Sequence, residues 1–231
     1  VDMAEEPVEV APTSHYGMGG VAVDAHGETT VDDLFAIGET MAGVHGANRL
    51  GGNSLAETVA YGVVAGTRIA DRIDGPGAIP DALRETVVNP HLADLEALAN
   101  SDGQYTVMSV FEELQDVLWE HAGLLRDEAT LGDGLDKLDV IRQKTTDMDV
   151  GGLTSESFEF AVDIGFMLTA AESVLRGAKQ RTESRGAHYR EDHPDVDESW
   201  QHNIYYERAD VGGMATYTEP VGTPSDTVQD A

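Results

Sequence analysis

Residues 44–55 read VHGANRLGGNSL and lead from a loop into a run with helical character. The Gly51–Gly52 pair lets the backbone approach a ligand closely, and the first N–H groups of the following helix are unpaired and partly positive. Arg49 adds a planar cationic fork that suits a carboxylate or a phosphate. The stretch therefore predicts an anion site at a helix end. The alternative is a tight strand-to-helix connection with an exposed arginine, since the stretch matches neither a Walker A loop nor G-x-G-x-x-G.

The run SLAETVAYGVVAGTRIADRI, residues 54–73, predicts the helix that follows this loop. Ser54 and Glu57 have the S-x-x-E spacing of a capping box. Gly62 and Gly66 weaken an isolated helix, so they predict close packing. One side of the helix stays apolar or small through Leu55, Val59, Val63, Gly66 and Ile69.

The segment before the loop predicts strand, turn and strand across residues 19–40, GGVAVDAHGETTVDDLFAIGET. LFAIG is a short apolar run typical of a buried strand. It is followed by Glu39, whose carboxylate can accept hydrogen bonds from sugar or polyol hydroxyls. His15 precedes another glycine pair in SHYGMGG. Three glycine-marked features within this part of the chain suggest one site.

The composition excludes several classes of protein. Forty-three acids against fourteen bases give a net charge of −29, which disfavours nucleic-acid binding because phosphate contacts need a basic face. Dense acids with only three lysines predict a protein adapted to high salt, the alternative being an ordinary solvated acidic surface. The chain has no cysteine and therefore no disulfide or Cys-ligated metal. No window is apolar enough for a membrane span, and the start lacks the features of a signal peptide.

Three regions follow from the patterning: residues 1–80, 81–184 and 185–231. The middle region predicts a helical bundle, in which His121 is a satisfied structural histidine rather than a ligand. The tail predicts short strands and turns. The predicted core stripes are Val107, Val110, Phe111, Leu114, Leu118 and Leu125; Leu135, Leu138 and Ile141; and Phe158, Val162, Met167, Leu168, Ala171 and Leu175.

Four stretches, in this order, resemble the flavoprotein subunit of succinate dehydrogenase and fumarate reductase. They are PTSHYGMGGV, LFAIGET, VHGANRLGGNSL with its helix, and RTESRGAHYREDHPDVDESW. The resemblance covers essentially the whole chain and implies an α+β fold. It predicts the C-terminal part of an FAD-binding α/β domain at 1–80, a helical bundle domain at 81–184 and a short β-containing tail at 185–231.

The resemblance also implies roles for single residues. His15 and Arg49 match the family's substrate-binding histidine and the arginine that grips a substrate carboxylate. Glu39 matches an FAD-binding glutamate, and Ser54 and Leu55 match positions whose backbone meets the flavin. No metal ligands are expected.

Other polar residues in the motifs are expected to be structural. His45 is predicted to be a packing or supporting histidine, the alternative being direct contact with the substrate. In ESRGAH, the residues Glu183, Arg185 and His188 are predicted to form a buried charged network, the alternative being that they brace the site. The acids of EDHPDVDE are predicted to be solvated loop charges.

The family's N-terminal half is not matched, since the chain has no G-x-G-x-x-G and no counterpart of the capping domain with its acid/base arginine. The resemblance therefore implies a partial copy that is inactive alone, from an enzyme that interconverts succinate and fumarate with FAD. The implied partners are the rest of that polypeptide, membrane anchors on the inner face of the cell membrane and an iron–sulfur subunit. The alternatives are an L-aspartate oxidase, a non-catalytic structural module and a generic acidic helical binding protein.

Overall fold

The computed structural model describes residues 2, 4–8, 14–73, 75, 80–209 and 213–222. The chain forms two compact units, residues 1–75 with 222–231, and residues 76–221. Pro12 and Thr13, which begin the PTSHYGMGGV motif, lie outside the described residues, as do residues 210–212 and 223–231 of the predicted tail. The second unit contains both the predicted helical region and residues 185–209 and 213–221 of that tail.

The first unit is built around one long helix, α1 (Asn53–Ala70), and a short 3₁₀ turn at Gly38–Thr40. The prediction of strands across residues 19–40 is wrong for this described stretch, which forms only isolated bridges, Val21 with Met41 and Glu28 with Phe35. Positive φ angles at Gly27 and Gly38 turn the chain before either bridge can extend into a ladder.

The capping box at the start of α1 is also a wrong prediction. The N-cap is Gly52, at φ 84°, and it provides no side-chain cap, while Ser54 lies inside the first turn. Glu57 does not reach back to the N-cap, because its carboxylate is held by partners elsewhere in the unit.

The apolar side of α1 is not buried within the described part of the first unit. Leu55, Val59 and Val63 are 77%, 68% and 65% exposed, whereas Glu57 and Ala65 are the helix's buried residues. A Cβ at Gly62 or Gly66 would meet no described atom within 4 Å, so the predicted close packing at these glycines is wrong here. The helix therefore presents an uncovered apolar face.

The second unit is a helical bundle. Residues Asp81–Leu83 (α2), a π-helical stretch at Arg84–Val88 and Asn89–Ala99 (α3) form one continuous helical segment. It is followed by α4 (Val107–His121), α5 (Glu128–Lys144) and α6 (Glu156–Gln180). Each of the last three begins at a side-chain cap, in which Thr106, Asp127 or Ser155 accepts a backbone N–H of the first turn.

The bundle core follows the predicted helical stripes closely. Two predicted residues are exceptions. Leu125 is 62% exposed, because α4 ends before it and it lies in the connection to α5, and Val162 is half-buried and lies outside the core cluster. The residues of the predicted stripes that are buried are Val107, Val110, Leu114, Leu138, Ile141, Leu168, Ala171 and Leu175, and Phe111, Leu118, Leu135, Phe158 and Met167 pack around them.

Two small sheets complete the second unit. β1 (Tyr105–Thr106) pairs in parallel with β2 (Met148–Asp149), and β3 (His202–Arg208) pairs antiparallel with β4 (Met214–Pro220). The hydroxyl of Tyr206 on β3 donates to the backbone oxygen of Ser173, which ties the hairpin to α6. The α+β class is confirmed, with helices dominating and few strands.

His121 is the satisfied structural histidine that the sequence predicts. Its Nδ1 lies 3.0 Å from the backbone oxygen of Thr130, so this nitrogen carries the proton. Its Nε2 accepts from Lys137 Nζ at 2.8 Å. Both ring nitrogens are used by bundle contacts.

The predicted charged network around ESRGAH is present. Glu183 is fully buried and accepts from Arg181 Nη1 at 2.7 Å and Arg185 Nε at 2.8 Å. His188 Nδ1 accepts from Arg126 Nη1 at 2.9 Å, and burial, together with the Arg126 charge, lowers the pKa of His188. These contacts brace the segment that follows α6.

One acid of the EDHPDVDE stretch departs from the prediction of solvated loop charges. Asp192 pairs through both carboxylate oxygens with the buried guanidinium of Arg190, at 2.7 Å each. Arg190 also donates to the backbone oxygens of Ala178 and Lys179 at the end of α6. Asp192 therefore neutralises a buried cation that closes the end of a helix.

Candidate functional site

A cleft of about 170 Å³ in the first unit collects side chains from two of the glycine-marked segments. Its lining residues are His15, Tyr16, Met18, Asn48 and Arg49. The structure therefore brings together His15 and Arg49, which are 34 positions apart in the sequence.

Arg49 supplies the positive charge of the cleft. Its backbone N–H donates to the sulfur of Met18 at 3.0 Å, and its Nη1 donates to the backbone oxygen of Leu50 at 3.1 Å. Its Nε is buried and has no hydrogen-bond partner among the described residues. A buried cationic donor without a partner costs free energy.

The guanidinium of Arg49 lies over the ring of Tyr16, with Cζ 4.9 Å from the ring centroid. This cation–π contact contributes about 0.5 to 2 kcal/mol, the larger value applying where water is excluded. The ring covers one face of the guanidinium, and Arg49 lines the cleft beside it.

A buried polar cluster lies behind Tyr16. The Tyr16 hydroxyl donates to Glu57 Oε2 at 2.5 Å, and His45 Nε2 donates to the same oxygen at 2.8 Å. The rings of Tyr16 and His45 meet edge to face, with centroids 5.2 Å apart. The hydrogen bond to Glu57, followed by burial and the Glu57 charge, raises the pKa of Tyr16 to about 12. Tyr16 is therefore a neutral donor at physiological pH.

Glu39 connects the LFAIGET segment, in which it lies, to the SHYGMGG segment. Its Oε1 accepts from the backbone N–H of Gly17 at 2.7 Å, and its side chain is exposed. A few residues further along, a Cβ at Gly20 would lie 2.2 Å from the backbone oxygen of Thr40. The close approach of these backbones requires glycine and sets the positions of His15 and Tyr16.

The start of α1 has the features that a flavin-binding helix end needs. Gly52 has φ 84°, and the first-turn N–H groups receive no side-chain cap. No described atom lies within 4 Å of where a Cβ would be at Gly51 or Gly52, so the backbone is open. Ser54 and Leu55 follow in the first turn. The residues present therefore fit a large electron-rich group held by backbone donors.

Sequence reasoning missed four residues of this site. Tyr16 and Met18 lie in SHYGMGG, and Asn48 lies in VHGANRLGGNSL. Their closeness in sequence to His15 and Arg49 was the only indication that they belong to the site. Glu57 was interpreted as part of a capping box, and only its position on the buried side of α1 shows that it serves Tyr16 and His45. In the described structure the His45 side chain is 6% exposed and hydrogen-bonds to Glu57.

Two regions of the chain match known protein families. Residues 111–227 match the family described as fumarate reductase flavoprotein C-term, and residues 1–55 match an FAD binding domain. The first match covers about half of the chain. This chain belongs to the succinate dehydrogenase/fumarate reductase flavoprotein family. Its cofactor is accordingly FAD, and its class is that of FAD-dependent oxidoreductases.

Relatives and solved structures agree with this membership. The fumarate reductase flavoprotein of Haemophilus influenzae is 36% identical over 86% of this chain and 34% of its own length. The quinol fumarate reductase of Escherichia coli superposes with a TM-score of 0.87 at 32% identity, over 96% of this chain and 39% of that one. The L-aspartate oxidase of Yersinia pestis is 32% identical over 89% of this chain and 37% of its own length. The chain thus spans between a third and two fifths of the length of these relatives.

Among the described residues, no group of three or more His, Cys, Asp or Glu side chains is arranged to hold a metal ion. None of the described helices combines the length and the apolar composition that crossing a membrane requires.

Proposed function

We propose that the protein containing this chain interconverts succinate and fumarate as the flavoprotein component of a succinate dehydrogenase or fumarate reductase. The observation that carries the proposal is the cleft in which His15 and Arg49 meet, with a buried donor of Arg49 left unpaired among the described residues. A dicarboxylate has the charge and the small size that such a cleft accepts.

His15 and Arg49 have binding and orienting roles in this proposal. Arg49 grips one carboxylate through its planar fork, and the exposed ring of His15 contacts the substrate from the neighbouring segment. Holding a small substrate at two points restricts its orientation, and such positioning supplies a large share of an enzymatic rate. The acid/base group of the reaction is expected outside this chain.

FAD, when bound, supplies the ring that exchanges a hydride with the substrate. We assign its contacts in this chain to Glu39, Ser54 and Leu55. Ser54 and Leu55 lie at the uncapped start of α1, where backbone donors and the helix dipole favour negative charge. Glu39 already fixes the Gly17 backbone through one carboxylate oxygen, which leaves the other for a polar group of the cofactor.

The uncovered apolar face of α1 supports a larger flavoprotein. Leu55, Val59 and Val63 expose most of their surface, and relatives are more than twice as long as the stretch matched here. We propose that the rest of an FAD-binding domain covers this face and that the chain alone is inactive. Electrons would pass to an iron–sulfur subunit, while membrane anchor subunits would hold the complex at the inner face of the cell membrane. The adaptation to high salt stays a prediction.

L-Aspartate oxidation is a second candidate, because an L-aspartate oxidase is nearly as similar in sequence. Aspartate shares both carboxylates with succinate and adds an amine. The cleft lining contains no carboxylate to receive that amine among the described residues, which favours succinate.

The test uses the full-length flavoprotein purified in high salt. We expect flavin absorption bands, succinate-dependent reduction of an electron-accepting dye and no turnover of L-aspartate. Turnover of aspartate in place of succinate would support the second candidate, and a flavin-loaded protein that binds neither would contradict both.

Arg49→Ala tests the residue assignment within that protein. We expect it to keep its flavin bands and to lose succinate turnover by roughly a hundredfold or more, because a carboxylate loses its charged partner. Arg68→Ala, which removes an exposed cation from the last turn of α1, is the matched control and should retain activity. Normal turnover by Arg49→Ala would remove Arg49 from the site.

A further inference from the structure

Glu57 is a buried carboxylate on a helix that otherwise buries only Ala65 within the described part of the chain. Its side chain is 3% exposed, and burying a carboxylate is costly unless its partners compensate. An apolar residue of similar size would fill the same space more cheaply. The position of this charge therefore calls for an explanation beyond packing.

The contacts of Glu57 lead directly to the cleft. Oε2 receives the Tyr16 hydroxyl at 2.5 Å and His45 Nε2 at 2.8 Å, so two donors converge on one oxygen. The Tyr16 ring in turn supports the guanidinium of Arg49 at 4.9 Å. Tyr16 thus lies between the buried carboxylate and the arginine of the cleft.

Fixing the Tyr16 hydroxyl fixes the plane of its ring. A tyrosine held only by packing can tilt about its side-chain bonds, whereas hydrogen bonding at the far end of the ring restrains both ends. The guanidinium of Arg49 has one intramolecular acceptor at Nη1, the Leu50 backbone oxygen, and a buried Nε without a described partner. Its orientation consequently depends on the surface on which it lies.

We propose that Glu57 is a positioning residue for dicarboxylate binding, because it anchors the Tyr16 hydroxyl and thereby holds the Arg49 guanidinium toward the cleft. This inference rests on the proposed function. It assigns Glu57 no contact with the substrate or with the flavin.

The experiment is a double-mutant cycle with Glu57→Gln and Tyr16→Phe in the flavin-loaded full-length protein. Gln keeps the size of the side chain and removes its charge, and Phe keeps the ring and removes the hydroxyl. Each single variant should raise the KM for succinate roughly tenfold with a much smaller change in kcat, since the arginine loses its preferred orientation before the reaction begins. The double variant should resemble Tyr16→Phe, because Glu57→Gln weakens and Tyr16→Phe removes the same hydrogen bond.

Two controls come from the same unit. Glu28→Gln breaks the ion pair with Arg72, away from the cleft, and should leave KM unchanged. Tyr61→Phe removes a tyrosine hydroxyl on α1 that makes no side-chain hydrogen bond among the described residues. If the KM also rose in either control, the KM increase in Glu57→Gln and Tyr16→Phe would reflect general destabilisation of the unit. That result would overturn the inference.

A spectroscopic readout separates positioning from stability. The ionisation of Tyr16, taken from the difference between the wild-type protein and Tyr16→Phe near 295 nm, should shift toward pH 10 in Glu57→Gln. An unshifted titration, additive KM effects or an unchanged KM in Glu57→Gln would overturn the positioning role while leaving the proposed function intact. A flavin-loaded wild-type protein that binds no dicarboxylate would overturn both.

Discussion

The hydroxyl of Tyr16 donates a hydrogen bond of 2.5 Å to Oε2 of Glu57, a residue 41 positions later in the sequence. This bond joins the HYGMGG segment to the buried side of α1. Because Tyr16 also lies beneath Arg49, a polar contact inside the unit sets the geometry of a cleft at its surface.

The Tyr16–Glu57 bond predicts a pH dependence of stability. The pKa of Tyr16 is raised from 10.0 to about 12. The contribution of the Tyr16–Glu57 hydrogen bond to the free energy of unfolding is therefore complete below pH 10 and is lost as pH rises through 12. We expect the stability difference between the wild-type protein and Tyr16→Phe to shrink over this interval in denaturant titrations. A constant difference across it would contradict the bond. Tyr61→Phe is the control, because it removes a hydroxyl from α1 and leaves the Tyr16–Glu57 bond in place.

The glycine pair before α1 predicts two different responses to alanine. Gly52 has φ 84°, where a side chain costs about 1 to 2 kcal/mol, whereas Gly51 does not adopt a left-handed conformation. Gly52→Ala should therefore weaken flavin retention and lower stability. Gly51→Ala should affect stability little, because the space around it is open. Flavin content per protein and thermal melting measure the two effects, and equal responses would contradict the role of the left-handed turn.

The buried carboxylate of Glu183 predicts acid sensitivity in the second unit. Burial opposes its ionisation, but hydrogen bonds from Arg185, the Asp197 backbone and Arg181 outweigh this and lower its pKa from 4.5 to about 2. Its contribution is therefore present above pH 4.5 and is lost as pH falls through 2.

Glu183→Gln should lower the free energy of unfolding at pH 7 by about 3 to 5 kcal/mol, because two arginines lose their buried partner. The difference from the wild-type protein should narrow below pH 4.5. The exposed Glu198→Gln is the control, and denaturant titrations at several pH values provide the measurement. An effect of equal size in both variants would count against the network.

Two glycines of α5 predict opposite effects of the same substitution. A Cβ at Gly134 would lie 2.7 Å from His121 Cβ and 2.9 Å from a Leu175 methyl, so Gly134→Ala should destabilise the bundle by about 1 to 3 kcal/mol. At Gly132 the nearest atom is the mobile Lys179 Nζ at 3.2 Å. Gly132→Ala should be neutral or stabilising by up to about 1 kcal/mol, through its higher helix propensity. Thermal unfolding distinguishes the two, and equal shifts would contradict this packing.

The helices and core of the bundle were largely predicted from the sequence, because the helices are amphipathic and bury their apolar faces against each other. Val110, Leu114 and Leu138 are core residues in both the pattern and the structure. The strands predicted for residues 19–40 do not form, since alternating apolar residues make a strand only where neighbouring chain is available to pair. The few bridges formed there depend on the turns at Gly27 and Gly38.

The sequence by itself determined the residue types of the site, the order of the family's motifs and the cation at Arg49. Those properties reside in single residues and local spacing, which the chain carries whether or not it is folded. Only the tertiary structure decided that Glu57 leaves the helix start to hold Tyr16 and His45, and that Tyr16 lies beneath Arg49. These contacts join residues far apart along the chain, and the S-x-x-E spacing fits a cap and a buried anchor equally well, so the choice between them depends on which partners folding brings within reach.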